Sequence, residues 1–330
     1  MLGGVLRSWP TAGVLAVVLT CGCGSHHRDP PTARSPAPPA AAARSVQTGH
    51  ARLRVVATRR LPAPVQLPAL ALRGRTVLAL GGLDAADTSV ASVTRVLPAP
   101  ARGAGTLPQP AHDAGAAALG GRVYVFGGGT ASGPLDAVVQ VGRGVVAHLP
   151  EPSSDLEAVA VGGSILIVGG YTGVQPLRSV LSYAPGRPIR RVADLPHPLR
   201  YAAAAATSGG LLLVAGGTDG VRARDEVVRV DPVRGRATTV GRLPSALAHV
   251  AGAVLGHTLY LFGGRTDAGT TRRSIWAVDT RSGRVRSAGR LPGALSDAAA
   301  ITVGDRILLV GGRTAAGRVS DRVVELALRR

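Results

Sequence analysis

Six residues at one common offset gather the side chains of this chain best suited to acid–base and hydrogen-bonding chemistry. Counting six positions beyond the Leu of each of six Leu-Pro pairs reaches Leu67, Asp113, Asp155, Tyr201, His249 and Asp297. Five of these are polar, and His112 and Arg200 stand one residue earlier. Carboxylates, an imidazole, a phenol and a guanidinium held together could move a proton. They could equally hold carboxylates and paired hydroxyls through bidentate hydrogen bonds. Plainer roles are open as well: an Asp at the start of a strand can bond neighbouring backbone amides and fix a loop, and a single Arg can be a solvated surface charge. The chemistry depends on whether the fold brings the six together.

The elements that must position them repeat. A Gly-Gly pair ends a short apolar run at Gly81, Gly127, Gly169, Gly216, Gly263 and Gly311, with spacings of 46, 42, 47, 47 and 48 residues. The Leu-Pro pairs begin at Leu61, Leu107, Leu149, Leu195, Leu243 and Leu291, each 20 or 21 residues before its Gly-Gly. From Gly-Gly to the next Leu-Pro the gap varies between 22 and 28 residues. One half of each repeat is therefore a fixed unit, and the other carries variable loops. A period in this range signals a solenoid, an array or a propeller.

Each repeat reads as four strands. A small-residue run such as Ala202 to Ala206 is followed by a Gly turn, and then by the apolar run that ends in Gly-Gly. A polar loop leads to a β-branched strand such as Val227 to Val230, and a turn (Asp231 to Gly235) leads to a last strand. Short apolar runs bounded by Gly, Pro and Asp are strand signals. Four-stranded units around an axis make a β-propeller, in which Ala and Gly suit the crowded inner strands. Gly-Gly suits a backbone that needs positive φ or close approach to a neighbour. After the sixth Gly-Gly one strand remains, Val323 to Leu328, and a matching strand, Leu53 to Thr58, precedes the first Leu-Pro. The expected fold is all-β, a six-bladed propeller over residues 51–330 whose last blade is closed by the N-terminal strand. Such closure removes open edges.

These Gly-Gly pairs, their preceding strands and the Leu-Pro spacing resemble the Kelch-repeat family. The family's frequent Trp near the last strand of the repeat is missing, and Trp276 lies instead on a third strand. The resemblance implies the propeller but does not choose a function, because such propellers include binding modules, scaffolds and a few enzymes. Galactose oxidase, whose propeller is also Kelch-like, needs a Cys-crosslinked Tyr and copper. This chain has two Cys, Cys21 and Cys23, both near the N-terminus, so the propeller cannot build that cofactor. Nor does it hold a His-Glu-x-x-His, a Gly-x-Ser-x-Gly or a phosphate-binding loop. Its eight His are scattered without metal spacing. No cofactor and no metal is expected.

Net charge is +19, carried by Arg without a single Lys. Nucleic-acid binding would want clustered basic residues among stacking aromatics. Aromatics are 3% here and the Arg are spread over every repeat, so no nucleic-acid partner is expected. The N-terminus reads as an export signal. Arg7 precedes the apolar core Ala12 to Leu19, which is too short to span a bilayer as a helix. The following Thr20-Cys21-Gly22-Cys23 resembles a bacterial lipoprotein signal, with Cys23 the better lipid-attachment residue and an ordinary cleaved signal the alternative. Residues 1–22 are then the signal peptide and residues 23–50 a Pro/Ala-rich tether.

Two functions survive. The first is a membrane-anchored binding or scaffold module on the outer face of the cell membrane, monomeric, taking a protein segment or glycan on the loop-rich face. Asp113, Asp155, Arg200, Tyr201, His249 and Asp297 would form the channel mouth, with Arg222, Arg265, Arg272, Arg273, Arg313, Arg318, Tyr171, Thr218 and Asp219 around them. The second is a carbohydrate-active enzyme working on an acidic sugar, similar to the Kelch-like sialic-acid epimerases (mutarotases). No residue matches a catalytic motif, so no catalytic residue is assigned.

Overall fold

The computed structural model describes residues 52–328. The expected signal peptide (residues 1–22) and tether (residues 23–50), with Cys23, lie outside the described residues. Within them there is no helix; the strands assort into six four-stranded antiparallel sheets, the blades of a propeller, and two short two-stranded ribbons, Gly129–Thr130 with Gly133–Pro134 and Leu295–Ser296 with Arg313–Thr314. The innermost strands are Ala69–Arg73, Gly115–Leu119, Glu157–Val161, Ala203–Ala206, Ala251–Leu255 and Ala299–Val303, in blades 1 to 6. Small residues dominate them because six inner strands converge on one axis.

Blade 6 takes three strands from the C-terminal end of the propeller and its outermost from the N-terminal end. Leu53–Arg60 pairs antiparallel with Arg322–Leu328, from Leu53 opposite Leu328 to Arg60 opposite Arg322, with a one-residue bulge at Val56. The ring closes as the repeat count requires, and Leu53 is buried in the core between blades 5 and 6.

The core is divided into six apolar clusters, one in each seam between neighbouring blades. Residues of period two along a strand face alternate seams, so each blade is apolar on both faces. The seam between blades 2 and 3 holds Tyr124, Phe126 and Tyr183 packed edge to face, with ring centroids 5.2 and 5.3 Å apart.

The Gly-Gly pairs stitch blade to blade. The N–H of the second Gly donates to a carbonyl in the Leu-Pro loop of the next blade, as in Gly128 to Ser153 O at 2.9 Å and Gly264 to Leu295 O at 2.9 Å. The bond from Gly312 to Val65 O, at 2.8 Å, joins blade 6 to blade 1 and completes the series. At Gly263 a Cβ would fall deep inside the Leu295 carbonyl oxygen, and its φ is +64°. Only Gly allows both the conformation and the approach.

Candidate functional site

Leu67, Asp113, Asp155, Tyr201, His249 and Asp297 form a closed collar at the channel mouth. All six have φ between 52° and 59°, the left-handed region that side-chain-bearing residues seldom enter. Each N–H donates to the carbonyl of its counterpart in the preceding blade. Asp113 bonds Leu67, Asp155 bonds Asp113, Tyr201 bonds Asp155, His249 bonds Tyr201, Asp297 bonds His249, and Leu67 bonds Asp297. The distances run from 2.7 to 3.3 Å. Left-handed strain of order 1–3 kcal/mol per residue survives only where surrounding structure over-determines it, and this ring supplies that.

A second set of bonds brings the variable loops to the collar. The residue before each collar position bridges to the residue after the Gly-Gly of its own blade: Ser154 to Tyr171, Arg200 to Thr218, Ala248 to Arg265. Ser296 pairs with Arg313 in the same way. Tyr171, Arg265 and Arg313 therefore reach the mouth by backbone pairing.

The backbone amides are used by the collar itself, and the collar carboxylates of Asp155 and Asp297 are held by side chains. Arg200 forms an ion pair with Asp155 and donates to Tyr201 Oη at 2.9 Å. Its guanidinium lies 3.9 Å from the Tyr171 ring centroid and 4.5 Å from that of Tyr201. Tyr201 stacks on His249, centroids 3.7 Å apart. His249 Nδ1 is 2.6 Å from Asp297 Oδ1, to which Arg265 Nη2 donates at 2.7 Å, and Ser296 Oγ donates to Asp297 Oδ2 at 2.5 Å. His112 Nδ1 pairs with Ser89 Oγ at 2.8 Å. One polar row thus crosses blades 2 to 6.

The carboxyls in this row divide electrostatically. Burial, reinforced by the Asp155 and Asp297 charges, pushes the Asp113 carboxyl well above the usual carboxylate range. Burial also raises Asp155, against the pull of Arg200. Burial acts on Asp297 in the same direction, but the hydrogen bond and charge of His249, with Ser296 and Arg265, bring it below its ordinary value. Burial lowers His112. Arg200 Nε and Arg265 Nε are buried donors with no hydrogen-bond partner, which is uncommon in a folded interior.

Below the collar the inner strands line a channel of about 440 Å³, walled mainly by Ala, Val and Leu. Glu157 is the ionisable residue of those inner strands that borders the channel, two positions beyond Asp155, where the other blades have Ala69, Gly115, Ala203, Ala251 and Ala299. Burial raises its carboxyl to about 8. Among the described residues no group of three or more His, Cys, Asp and Glu could hold a metal ion.

The six collar residues converge as their shared offset implies, and Tyr171, Arg265 and Arg313 join them. Arg313 binds Gln66 Oε1 at 2.7 Å and pairs with Asp87 on the blade 1 side of the mouth. Arg222, Arg272, Arg273 and Arg318 do not join: they are exposed, and Arg273 Nε is bound to Leu291 O at 3.0 Å. Sequence reasoning missed Glu157, Gln66, Ser89 and Ser296. Only Glu157 had a signal, as the one carboxylate in a small-residue inner run.

A model of the Kelch motif matches residues 152–186, which span most of blade 3. No curated protein matches the chain. Among solved structures, that of YjhT superposes with a TM-score of 0.71 at 15% identity, covering 82% of this chain and 99% of its own. At that identity the likeness is one of fold. Motif and blades together support a Kelch-repeat propeller.

Proposed function

We propose that this chain is a binding module whose channel mouth recognises the hydroxyl-rich end of a glycan. The Kelch-type propeller is consistent with a binding or scaffold role, and the observation that carries the finer reading is the row Arg200–Tyr201–His249–Arg265. It sets two aromatic rings and two guanidiniums, each with a buried unpartnered Nε, beside Asp113, whose carboxyl burial pushes well above its usual range. Hydroxyls both donate and accept, and a phenol and an imidazole do the same. The mouth arginines are already paired with Asp155, Asp297 and Asp87, which disfavours a ligand carboxylate as the main anchor. A glycan array probed with the full chain tests this: glycans retained by wild type and lost in Arg200→Gln support it. Retention of peptides alone would point to a protein partner.

A second reading, proton-transfer chemistry on an acidic sugar, is favoured by one observation. Burial pushes the carboxyls of Asp113 and Glu157 up while His249, Ser296 and Arg265 hold Asp297 below its ordinary value, and environments that push carboxyl pKa values apart are those that make acid–base pairs. Exchange between anomers of a reducing sugar, followed by NMR with wild type and Asp113→Asn, distinguishes turnover from binding.

The module is proposed to act outside the cell, tethered through a lipid on Cys23 and without a nucleic-acid partner. The support is the residue pattern around Cys23. Acyl labelling that disappears in Cys23→Ala while remaining in Cys21→Ala is the expected result.

A further inference from the structure

We propose that the propeller face opposite the channel mouth docks on an anionic lipid surface. The Arg excess is not shared between the two ends of the propeller. Counting each loop with the strand residue on either side, the mouth-side loops carry thirteen Arg and fourteen acids, and the turns at the other end carry thirteen Arg and three acids. All thirteen Arg of those turns are exposed, and every blade supplies at least one: Arg75, Arg122, Arg187, Arg236, Arg284 and Arg306 in blades 1 to 6. The three acids are already answered. Asp231 pairs with Arg234 at 2.8 Å and Asp305 with Arg306 at 3.7 Å, and Arg306 is further occupied by Glu325. Asp279 accepts from the N–H groups of Arg281 and Ser282 at 3.1 and 2.7 Å. With Arg234 and Arg306 set aside, eleven exposed guanidiniums still share this face with one further acid.

Shape and chain path favour a bilayer as the partner. The turns of this face are two to six residues long, whereas the loops between second and third strands at the mouth run to ten or eleven. The basic end is therefore the flatter one. The strand Leu53–Arg60 starts there, with Leu53 opposite Leu328, and Arg52 beside it is exposed. The fifty-one residues that precede Arg52, Cys23 among them, thus join the propeller at the basic end. A lipid on Cys23 would act on the propeller from this end; in that respect the proposal rests on the lipid-anchor reading, while the asymmetry of charge does not depend on it. Phe, Tyr and Trp do not occur in these turns, so the stacking platforms of a single-stranded nucleic-acid site are missing. Basic side chains near an anionic bilayer each strengthen binding severalfold, over a range set by the Debye length. Docked in this way, the channel mouth points away from the bilayer.

The test sediments the full chain carrying Cys23→Ala with vesicles of mixed phosphatidylglycerol and phosphatidylcholine. Vesicles of phosphatidylcholine alone read whatever residues outside the propeller contribute. Because Cys23→Ala removes the acyl site, failure of the face and failure of the anchor are separate results. Retention on the anionic vesicles is expected, and it should be lost as salt rises from about 0.1 M to about 1 M. Arg75→Gln, Arg122→Gln, Arg187→Gln and Arg236→Gln combined should weaken binding on the order of a hundredfold, at roughly fivefold per Arg. The mouth-side set Arg178→Gln, Arg222→Gln, Arg272→Gln and Arg318→Gln removes the same charge and should bind nearly as the parent does. The proposal is overturned if neutral and anionic vesicles retain the chain alike, or if the two fourfold variants weaken binding equally. A DNA duplex that strips the chain from the vesicles at equal phosphate concentration would also overturn it, in favour of a nucleic-acid partner. Should the first fourfold variant not fold, Arg75→Gln with Arg122→Gln, expected to lose about twentyfold, decides alone.

Discussion

The N–H of Leu67 donates to the carbonyl oxygen of Asp297 at 2.7 Å, and this bond between the first and last blades closes the collar at the channel mouth. The strand Leu53–Arg60, which pairs in blade 6, lies a few residues before Leu67 in the chain, so the closure of the ring and the mouth share one segment.

Deleting residues 51–60 removes that strand, exposes the blade 6 edge and takes Leu53 from its seam. A loss of more than about 5 kcal/mol is expected, which for a domain of this size lowers the melting temperature by roughly ten degrees or more. A deletion variant that melts with the full chain contradicts closure by the N-terminal strand.

Two glycines separate steric from conformational demand. Gly263→Ala drives a methyl into Leu295 O, whereas at Gly256, φ +62°, a Cβ meets nothing within 4 Å. Gly256→Ala should cost only the left-handed penalty of about 1–2 kcal/mol. Gly263→Ala should cost about 4 kcal/mol or more, in the range reserved for strain and broken packing. Urea unfolding midpoints of the two variants read the difference directly.

Glu157 imposes a pH dependence of known sign. Its carboxyl binds a proton more tightly folded than unfolded, so stability falls as pH rises from about 4.3, where the unfolded group ionises, toward its folded value of about 8. Glu157→Gln should gain on wild type steadily across that window. A difference that is flat between pH 5 and pH 8 would show that the carboxyl is solvated.

Asp297 has the opposite sign. Its lowered folded value means that its stabilising effect is present above about pH 4 and is lost as pH falls through the folded pKa. Asp297→Ala leaves Arg265 and His249 facing an uncompensated site, at an expected cost of about 3–5 kcal/mol near neutrality. The deficit should shrink as pH falls through the lowered folded pKa, where wild type itself becomes protonated.

Blade number, closure and the six collar positions were legible because they lie in the half of each repeat with fixed length. There, one offset from Leu-Pro lands on the same backbone site in every blade. Side-chain partnerships were not legible, since Arg200 finds Asp155 and Tyr171 across a blade boundary. Arg265 and Arg222 illustrate the loops: both follow a Gly-Gly, but backbone pairing with Ala248 draws Arg265 inward while Arg222 stays in solvent. Loop length conceals that distinction. Glu157 was visible as a residue, but its depth in the channel follows from strand register.

The most direct test of the mouth as the ligand site is calorimetric titration of a glycan retained on the array into wild type, Asp113→Asn, Arg200→Gln and the exposed control Arg318→Gln. Unchanged affinity is expected for Arg318→Gln and at least a tenfold loss for Arg200→Gln, about 1.4 kcal/mol, with a smaller loss for Asp113→Asn. Equal affinity in all four proteins would place the glycan away from the collar and overturn the mouth as its binding site.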